Sequence, residues 1–273
     1  MIVALAFFLC LASAGAALPT LPSLRLFRRH SDDAVTQYMK VLPSNAFNHA
    51  HAGESCDEGY DSAAAAPVAG FAGLTSTVAV GKGRRAFKRA SEALFAFEMI
   101  NGLGWARVAL ADATREVSVY AKEFGSVLPR SQINNLHVPS FLHQMLSANP
   151  SRQQQQQQNL NLCTNVRCYG LLWSLNPCRL LAGTVLRDCP VKAGRVSQLA
   201  YSTLKGHLIA GEERFRVTHS ASSDEVLFEV HSFTRGSGLL GSLAMPFIRP
   251  VQRAFFSQQG RLMARIVEGQ KPA

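Results

Sequence analysis

The chain has 273 residues, a length that fits one domain with appendages. Hydrophobic residues make up 47% of it, enough for a folded core. Its 28 Lys and Arg residues outnumber 18 Asp and Glu, giving a formal net charge of +10. This excess suits an anionic partner such as a membrane surface, although a basic targeting region is the alternative. No aromatic residues alternate with Lys and Arg in a stacking platform, so nucleic acid is not predicted as a partner.

The cysteine pattern argues against both a disulfide framework and a zinc site. Cys10 lies in the N-terminal apolar segment, and the other cysteines are odd in number and contain no C-x-x-C pair. Cys163 and Cys168 have no matching pair of histidines. The pattern favours free thiols in a reducing compartment, and no metal or cofactor is predicted.

Residues 1–18 are predicted to be a signal or targeting leader, because an uncharged apolar segment ends there in small residues. The basic stretch LRLFRR follows at residues 24–29, which is typical of plastid or plastid-envelope targeting through a secretory-type leader; secretion is the alternative. Residues 19–71 are predicted to be a poorly ordered linker. Beyond the leader no run of eighteen apolar residues occurs, so no membrane-spanning helix is expected.

The rest of the chain, residues 72–268, reads as a single α+β domain. Residues 75–80 alternate like a strand, and helical spacing of apolar residues follows from about residue 83 to 101. Further strands are predicted at residues 116–124, 178–187, 196–203, 212–219 and 225–235, the last two joined by a hairpin. A low-complexity insertion is predicted at about 126–168, with six consecutive Gln and a short helix near 140–147.

The C-terminal segment, residues 239–267, is predicted to be a long amphipathic helix. Its apolar face is expected to pack under the sheet. The opposite flank carries candidates for contact with an anionic membrane, namely Arg249, Arg253, Arg261 and Arg265. The order of elements predicts one antiparallel sheet with an early helix and a long C-terminal helix on one face.

The most informative segment is YSTLKGHLIAGEERFRV at residues 201–217, which reads as a strand, a polar turn and a second strand. Its signature residues, candidates for a ligand site or a structural turn, are Thr203, Gly206, His207, Gly211, Glu212, Glu213, Arg214 and Phe215. Strand alternation places Glu212 and Arg214 on one face and Glu213 on the other. The favoured interpretation is a structural turn in which His207 bonds the backbone, Arg214 pairs with a carboxylate and Phe215 enters the core.

A chemical role for the same turn is the alternative: a base-and-carboxylate pair formed by His207 with a Glu, or a weak metal site. The sequence contains no G-x-S-x-G, H-E-x-x-H, Walker or Rossmann motif. No catalytic residue is therefore predicted.

Four segments in order resemble the uncharacterised protein family UPF-0548 of bacteria and plants. The first segment begins with VGKG at residues 80–83, the second is WSLNPCR at 173–179, the third is TLKGHLIAGEERFRV at 203–217 and the fourth begins with FEVHSFTR at 228–235. The resemblance implies a curved antiparallel sheet that wraps a long C-terminal helix around a cavity, similar to helix-grip lipid-binding folds. One plant member of the family is regarded as a chloroplast outer-envelope pore protein.

The expected function is non-enzymatic binding of a hydrophobic or lipid-like ligand at or near a membrane. A pore-forming organelle outer-envelope protein is the alternative that the resemblance implies. A hydrolase-type enzyme using His207 and Glu212 is a weaker one.

Overall fold

A computed structural model of the chain describes residues 24–40, 47–56, 68–111, 161–181, 186–191 and 193–270. The expected leader, the strand at 116–124 and the short helix at 140–147 lie outside these residues. The strands are β1 (Leu24–Leu26), β2 (Ala72–Lys82), β3 (Ala106–Ala111), β4 (Asn161–Cys168), β5 (Leu172–Leu180), β6 (Leu186–Val191), β7 (Gly194–Thr203), β8 (Ile209–Ser220) and β9 (Glu225–Gly236). The helices are α1 (Asp32–Lys40), α2 (Gly83–Phe95), α3 (Glu98–Asn101) and α4 (Gly238–Val267), with a 3₁₀ turn at Glu54–Cys56.

The strands form one antiparallel sheet in the order β2-β9-β8-β7-β5-β4-β3, with β1 added to β5 and β6 to β7. This agrees with the α+β class and the antiparallel sheet expected from the sequence. In the centre of the sheet, Phe215 on β8 lies opposite Leu199 on β7 and Val230 on β9. These three side chains and those of α2 and α4 belong to one core, so one face of the sheet is the inner, helix-covered face.

The sheet curves around α4. Near the end of the helix a Cβ placed on Gly260 would lie 2.6 Å from Cγ2 of Val78 on β2, so the helix backbone packs closely against that strand. On the other side of the helix, Nε1 of Trp105, just before β3, donates to Oε1 of Gln258 at 2.8 Å. The helix therefore packs mainly against β2 and β9 on the inner face of the sheet, with Trp105 on its other side.

Two boundaries expected from the sequence are corrected by the structure. The region expected to be a poorly ordered linker contains β1 and α1, and β1 pairs with β5 while α1 packs beside β4. The insertion expected to extend to residue 168 ends before Asn161, because β4 occupies Asn161–Cys168 and pairs with both β3 and β5.

Two further boundaries differ in detail. The early helix is interrupted at Phe97, which takes a left-handed conformation (φ 53°) and buries its side chain in the core. The strand expected at 178–187 is two strands, β5 ending at Leu180 and β6 beginning at Leu186.

Candidate functional site

Strand β8 separates two polar environments on opposite faces of the sheet. Glu212 and Arg214 project from the outer face, away from α4. Glu213 and Phe215 project from the inner face, where Phe215 is fully buried in the core. The alternation of a β-strand produces this division directly.

On the outer face, Glu212 and Arg214 attach the segment 47–56 to the sheet. The carboxylate of Glu212 accepts hydrogen bonds from N–H of Gly53 at 2.5 Å, from N–H of Ser55 at 3.0 Å and from the Ser55 hydroxyl. The fully buried guanidinium of Arg214 donates to the carbonyl of Ser55 and forms an ion pair with Glu229 at 2.7 Å. Burial raises the pKa of Glu212, while these hydrogen bonds and the charge of Arg214 oppose the rise.

His49 also attaches the segment 47–56 to the outer face of the sheet. Nε2 of His49 lies 2.7 Å from Oγ of Ser202 and 2.9 Å from the carbonyl of Gly211, and burial lowers its pKa. The His49 ring also packs edge-on against Phe71 and Phe233. The carboxylate and the His49 ring are thus engaged with protein groups, and the arrangement is structural.

The inner face carries a different row of polar groups. Tyr201 on β7, Glu213 on β8 and Ser232 on β9 lie side by side in the cross-strand register. The Tyr201 hydroxyl opposes the rise in the pKa of the Glu213 carboxyl that burial causes. Oε1 of Glu213 and Oγ of Ser232 are buried and have no hydrogen-bond partner. Burial raises the pKa of Glu213 to about 8, only partly opposed by Tyr201, so the carboxyl group is largely protonated at neutral pH.

Helix α4 adds two glutamines on the side that faces the sheet. Gln252 is 9% exposed with Oε1 unpartnered, and Gln259 is fully buried with both amide atoms unpartnered. Gln252 lies eight residues, about 12 Å, before Gly260. Gly260 packs against Val78 on β2, and Val78 pairs with Phe228 on β9. Ser232 lies four residues, about 13 Å, beyond Phe228 along β9. Gln252 therefore stands at the level of Ser232.

These residues form what we call the inner polar cluster: Tyr201, Glu213, Ser232, Gln252 and Gln259. Each buried donor or acceptor left without a partner costs about 1–3 kcal/mol of stability. A hydroxyl or carbonyl group of a ligand can satisfy neighbouring members of the cluster, but not Gln252 and Gln259 together, which lie seven residues, about 10 Å, apart along α4. The cluster provides both donors and acceptors but, with Glu213 protonated, no formal charge.

The signature residues lie at the end of β7, in the turn that follows it and at the start of β8. Oγ1 of Thr203 donates to Oδ1 of Asn48 at 2.6 Å, and Nδ1 of His207 accepts from N–H of Ile209 at 3.0 Å. Gly206 and Gly211 have φ of 97° and 151°, and a Cβ on Gly211 would lie 2.0 Å from the carbonyl oxygen of Phe233. Burial lowers the pKa of His207 to about 3. Neither a hydrogen bond nor an ion pair joins His207 to Glu212, two residues that the structure fully describes.

The four arginines of α4 do not form one uniform rim. Arg249 donates from Nη2 to the backbone carbonyls of Ala72 at 3.1 Å and Thr234 at 2.8 Å, which ties the helix to β2 and β9. Arg253, Arg261 and Arg265 are exposed.

Within the described part of the chain, no group of three or more His, Cys, Asp and Glu is placed to hold a metal ion. None of the helices described there has the length and apolarity to cross a membrane.

Sequence reasoning singled out Glu213 but missed its companions Tyr201, Ser232, Gln252 and Gln259. The glutamines carried a usable signal: they are seven residues apart, at helical spacing, on the face of the C-terminal helix that also bears Phe256 and Met263. Polar residues on an otherwise apolar stripe indicate either a buried network or a ligand. Tyr201 and Ser232 gave no such signal, because their proximity depends on strand register.

Together these features define a class of α+β protein in which a long C-terminal helix packs on one face of a large antiparallel sheet. The chain belongs to the family described as domain of unknown function DUF1990, which matches residues 55–262, more than half of its length. This confirms the uncharacterised domain family expected from the sequence. No curated protein and no solved structure gives a significant match.

Proposed function

We propose that the protein binds a small, largely apolar ligand that carries one uncharged hydroxyl or carbonyl group, and that it does so without catalysing a reaction. The ligand lies between the inner face of the sheet and α4, with its polar group at the inner polar cluster. The observation that carries this proposal is the set of unpartnered buried atoms on Glu213, Ser232, Gln252 and Gln259 that face the same interior.

The apolar body of the ligand is suited to the surroundings of the cluster. Next to Glu213 along β8 lies Phe215, and next to Ser232 along β9 lies Val230, both buried in the core. Glu213 remains partly accessible to solvent. Its carboxyl group nevertheless lies deep enough in the protein for burial to raise its pKa to about 8. A narrow approach from the surface to the cluster accounts for both observations.

Electrostatics favours an uncharged head group. A protonated Glu213 can donate a hydrogen bond to a hydroxyl or carbonyl oxygen, and the glutamine amides can donate and accept. A carboxylate ligand would have to be buried without a cationic partner, which is costly in a low-dielectric interior. An alkanol should therefore bind more tightly than a fatty acid of equal chain length.

Displacement of the apolar fluorophore Nile red from the full chain tests the proposal. Dodecanol, dodecanoate and dodecylammonium share one chain length and differ in the charge of the head group. We expect dodecanol to displace the fluorophore at least about tenfold more effectively than dodecanoate at neutral pH. Equal potency of all three, or no displacement by any, would contradict the proposal.

Variants at adjacent positions provide the control. Glu213→Gln keeps a neutral hydrogen-bonding group and should retain dodecanol binding, whereas Glu213→Leu should lose most of it. Glu212→Gln changes the neighbouring carboxyl on the outer face and should leave dodecanol affinity unchanged. Circular dichroism confirms that each variant is folded. If Glu212→Gln weakened binding as much as Glu213→Leu, the ligand site would not lie at the inner polar cluster.

A further inference from the structure

Exposed apolar side chains are concentrated at one end of the molecule. Six large hydrophobic side chains are exposed among the described residues, including Phe27 at 71% and Leu239 at 80%. Five of them form what we call the end patch: Leu26, Phe27, Tyr169, Leu239 and Leu243. The sixth, Val191, lies at the opposite end, where β6 turns into β7 near Ser220.

Specific contacts bring the three segments of the end patch together. Leu26 on β1 pairs with Leu172, and N–H of Phe27 donates to the carbonyl of Leu171 at 2.7 Å. Tyr169, in the turn between β4 and β5, donates its hydroxyl hydrogen bond to the carbonyl of Phe247 on α4 at 2.6 Å. Leu243 and Leu239 lie one and two helical turns before Phe247, on the same side of α4.

The outward orientation of the α4 leucines is enforced by packing on the other side of the helix. Gly241 and Ala244 are buried on that other side, and a Cβ on Gly241 would lie 2.1 Å from the carbonyl oxygen of Leu208. The helix backbone thus rests directly on the turn before β8. Leu239 and Leu243 cannot turn towards the protein interior unless the helix backbone at Gly241 moves away from Leu208.

The backbone at the end patch is strained as well as exposed. Phe27 has φ of 62° and Tyr169 has φ of 52°, a left-handed conformation that costs a residue with a side chain about 1–2 kcal/mol. Burial of these side chains does not compensate for the strain, because both are exposed. At Tyr169 the conformation belongs to the two-residue turn that it forms with Gly170 (φ 75°) between β4 and β5, so the exposure of the aromatic side chains, and not their backbone conformation, points to an external contact.

Basic residues predominate in the segments that form the end patch. Residues 24–31, 161–180 and 238–267 contain no Asp or Glu. Exposed Arg25 and Arg28 flank Leu26 and Phe27 in the sequence, and the guanidinium of Arg167 lies 5.7 Å from the ring centroid of Trp173, the residue paired with Arg25. An apolar projection flanked by exposed Arg25 and Arg28 is complementary to a surface with an acyl interior and anionic head groups, although the chain continues into Asp32 and Asp33 at the start of α1.

We propose that the end patch docks the protein on an anionic phospholipid bilayer. Phe27, Leu239 and Leu243 enter the boundary between head groups and acyl chains, Tyr169 lies at head-group level, and Arg25 and Arg28 contact lipid phosphates. This surface differs from the flank of Arg249, Arg253, Arg261 and Arg265 that the sequence indicated, and the proposal does not depend on the interior ligand site.

Flotation with phosphatidylcholine vesicles, with and without phosphatidylglycerol, tests the docking surface on the full chain. The double variant Phe27→Ser/Leu239→Ser removes the two most exposed apolar side chains and is matched by Val191→Ser at the opposite end. Residues 1–18 are identical in all variants, so differences report the described surface. We expect the double variant to lose about tenfold or more in affinity for the anionic vesicles and Val191→Ser to lose none.

A pair of charge reversals separates docking from general electrostatic attraction. Arg25→Glu/Arg28→Glu and Arg84→Glu/Arg85→Glu change the net charge equally, but the second pair lies at the start of α2, near Asp224. We expect the first pair to lose about tenfold or more in affinity for anionic vesicles and the second pair much less. Equal losses would show that net charge alone attracts the protein, and would overturn the proposal.

Insertion itself is measured with Phe27→Trp and brominated phosphatidylcholine mixed with phosphatidylglycerol. The added Trp fluorescence, relative to the wild-type chain, should be quenched, whereas that of Val191→Trp should not. Absence of quenching at position 27 would overturn the proposal. So would a concentration-dependent dimer in sedimentation that Phe27→Ser/Leu239→Ser abolishes, because a second copy of the chain would then cover the patch.

Discussion

Glu212 and Glu213 are neighbours in the chain but enter two unlike environments on opposite faces of β8. Glu212 accepts three hydrogen bonds from Gly53 and Ser55 on the outer face. Glu213 faces α4 with Oε1 unpartnered and with its pKa raised by burial to about 8. The Glu212 carboxyl group thus attaches segment 47–56 to the sheet, whereas the Glu213 carboxyl group keeps one oxygen without a hydrogen-bond partner.

The first prediction concerns the pH dependence of stability. Because the pKa of Glu213 in the folded protein is raised above its ordinary value of 4.5, its stabilising contribution is full below about pH 4.5 and is lost as pH rises towards 8. Between about pH 5 and pH 8 the free energy of unfolding of the wild-type chain should therefore fall relative to that of Glu213→Gln, by up to about 4 kcal/mol. Urea denaturation of both proteins across this range measures the difference.

The histidines do not confound this comparison. Burial lowers the pKa of His207 to about 3 and of His231 to about 4, so their contributions are lost as pH falls below about 6.5, the opposite direction. Both proteins share them, and their effects cancel in the difference. A difference that stays constant with pH would show that Glu213 has an ordinary pKa.

The second prediction concerns the attachment of segment 47–56. Glu212→Ala removes three hydrogen bonds to a carboxylate and leaves the N–H groups of Gly53 and Ser55 without their acceptor. The variant should lose about 2–4 kcal/mol of stability and the protection of these two amides from hydrogen exchange. Glu268→Ala, at an exposed position after α4, is the control and should change neither. Retained protection in Glu212→Ala would mean that other contacts hold the segment.

The third prediction separates stability from function at Gln259. Replacing this buried, unpartnered amide by an apolar group of similar size, Gln259→Leu, removes a desolvation cost and should raise the free energy of unfolding by about 1–2 kcal/mol. The same variant should bind dodecanol more weakly than the wild-type chain does. Gln258→Leu is the matched control: it breaks the hydrogen bond from Trp105 and should reduce stability instead. A destabilised Gln259→Leu would indicate that the amide is satisfied within the fold.

The fourth prediction compares two residues of the signature turn. Phe215→Ala creates a cavity in the centre of the core and should cost about 3–5 kcal/mol. His207→Ala removes one acceptor for N–H of Ile209 and should cost only about 1–2 kcal/mol. Denaturant unfolding measures both. Loss of dodecanol binding in His207→Ala at nearly full stability would show that the turn is itself a functional site.

Much of the central fold followed from local pattern. The C-terminal helix was predicted at residues 239–267 and observed at Gly238–Val267, because its apolar spacing persists for eight turns. Strand alternation also placed Glu212 and Arg214 opposite to Glu213 and Phe215, as observed. Each of these inferences needs only the residues of one element.

The features that sequence reasoning missed depend on contacts between distant parts of the chain. β1 has only three residues and is held by β5, almost 150 positions away, so no periodicity reveals it. The proximity of Tyr201, Glu213 and Ser232 follows from the register of three strands, which alternation alone does not fix. The strength of burial at Glu213, which raises its pKa, likewise depends on how α4 covers the sheet.

The most direct test of the interior site is a titration of the Glu213 side-chain carboxyl by carbon-13 NMR, assigned by comparison with Glu213→Gln. We expect an apparent pKa of about 8 for Glu213 in the free protein. The pKa should rise further when dodecanol binds, because the dodecanol hydroxyl group hydrogen-bonds preferentially to the protonated carboxyl group. A pKa near the ordinary value for a glutamate would contradict the assignment of Glu213 to the ligand site. So would a pKa that stays unchanged at a dodecanol concentration that displaces all of the fluorophore.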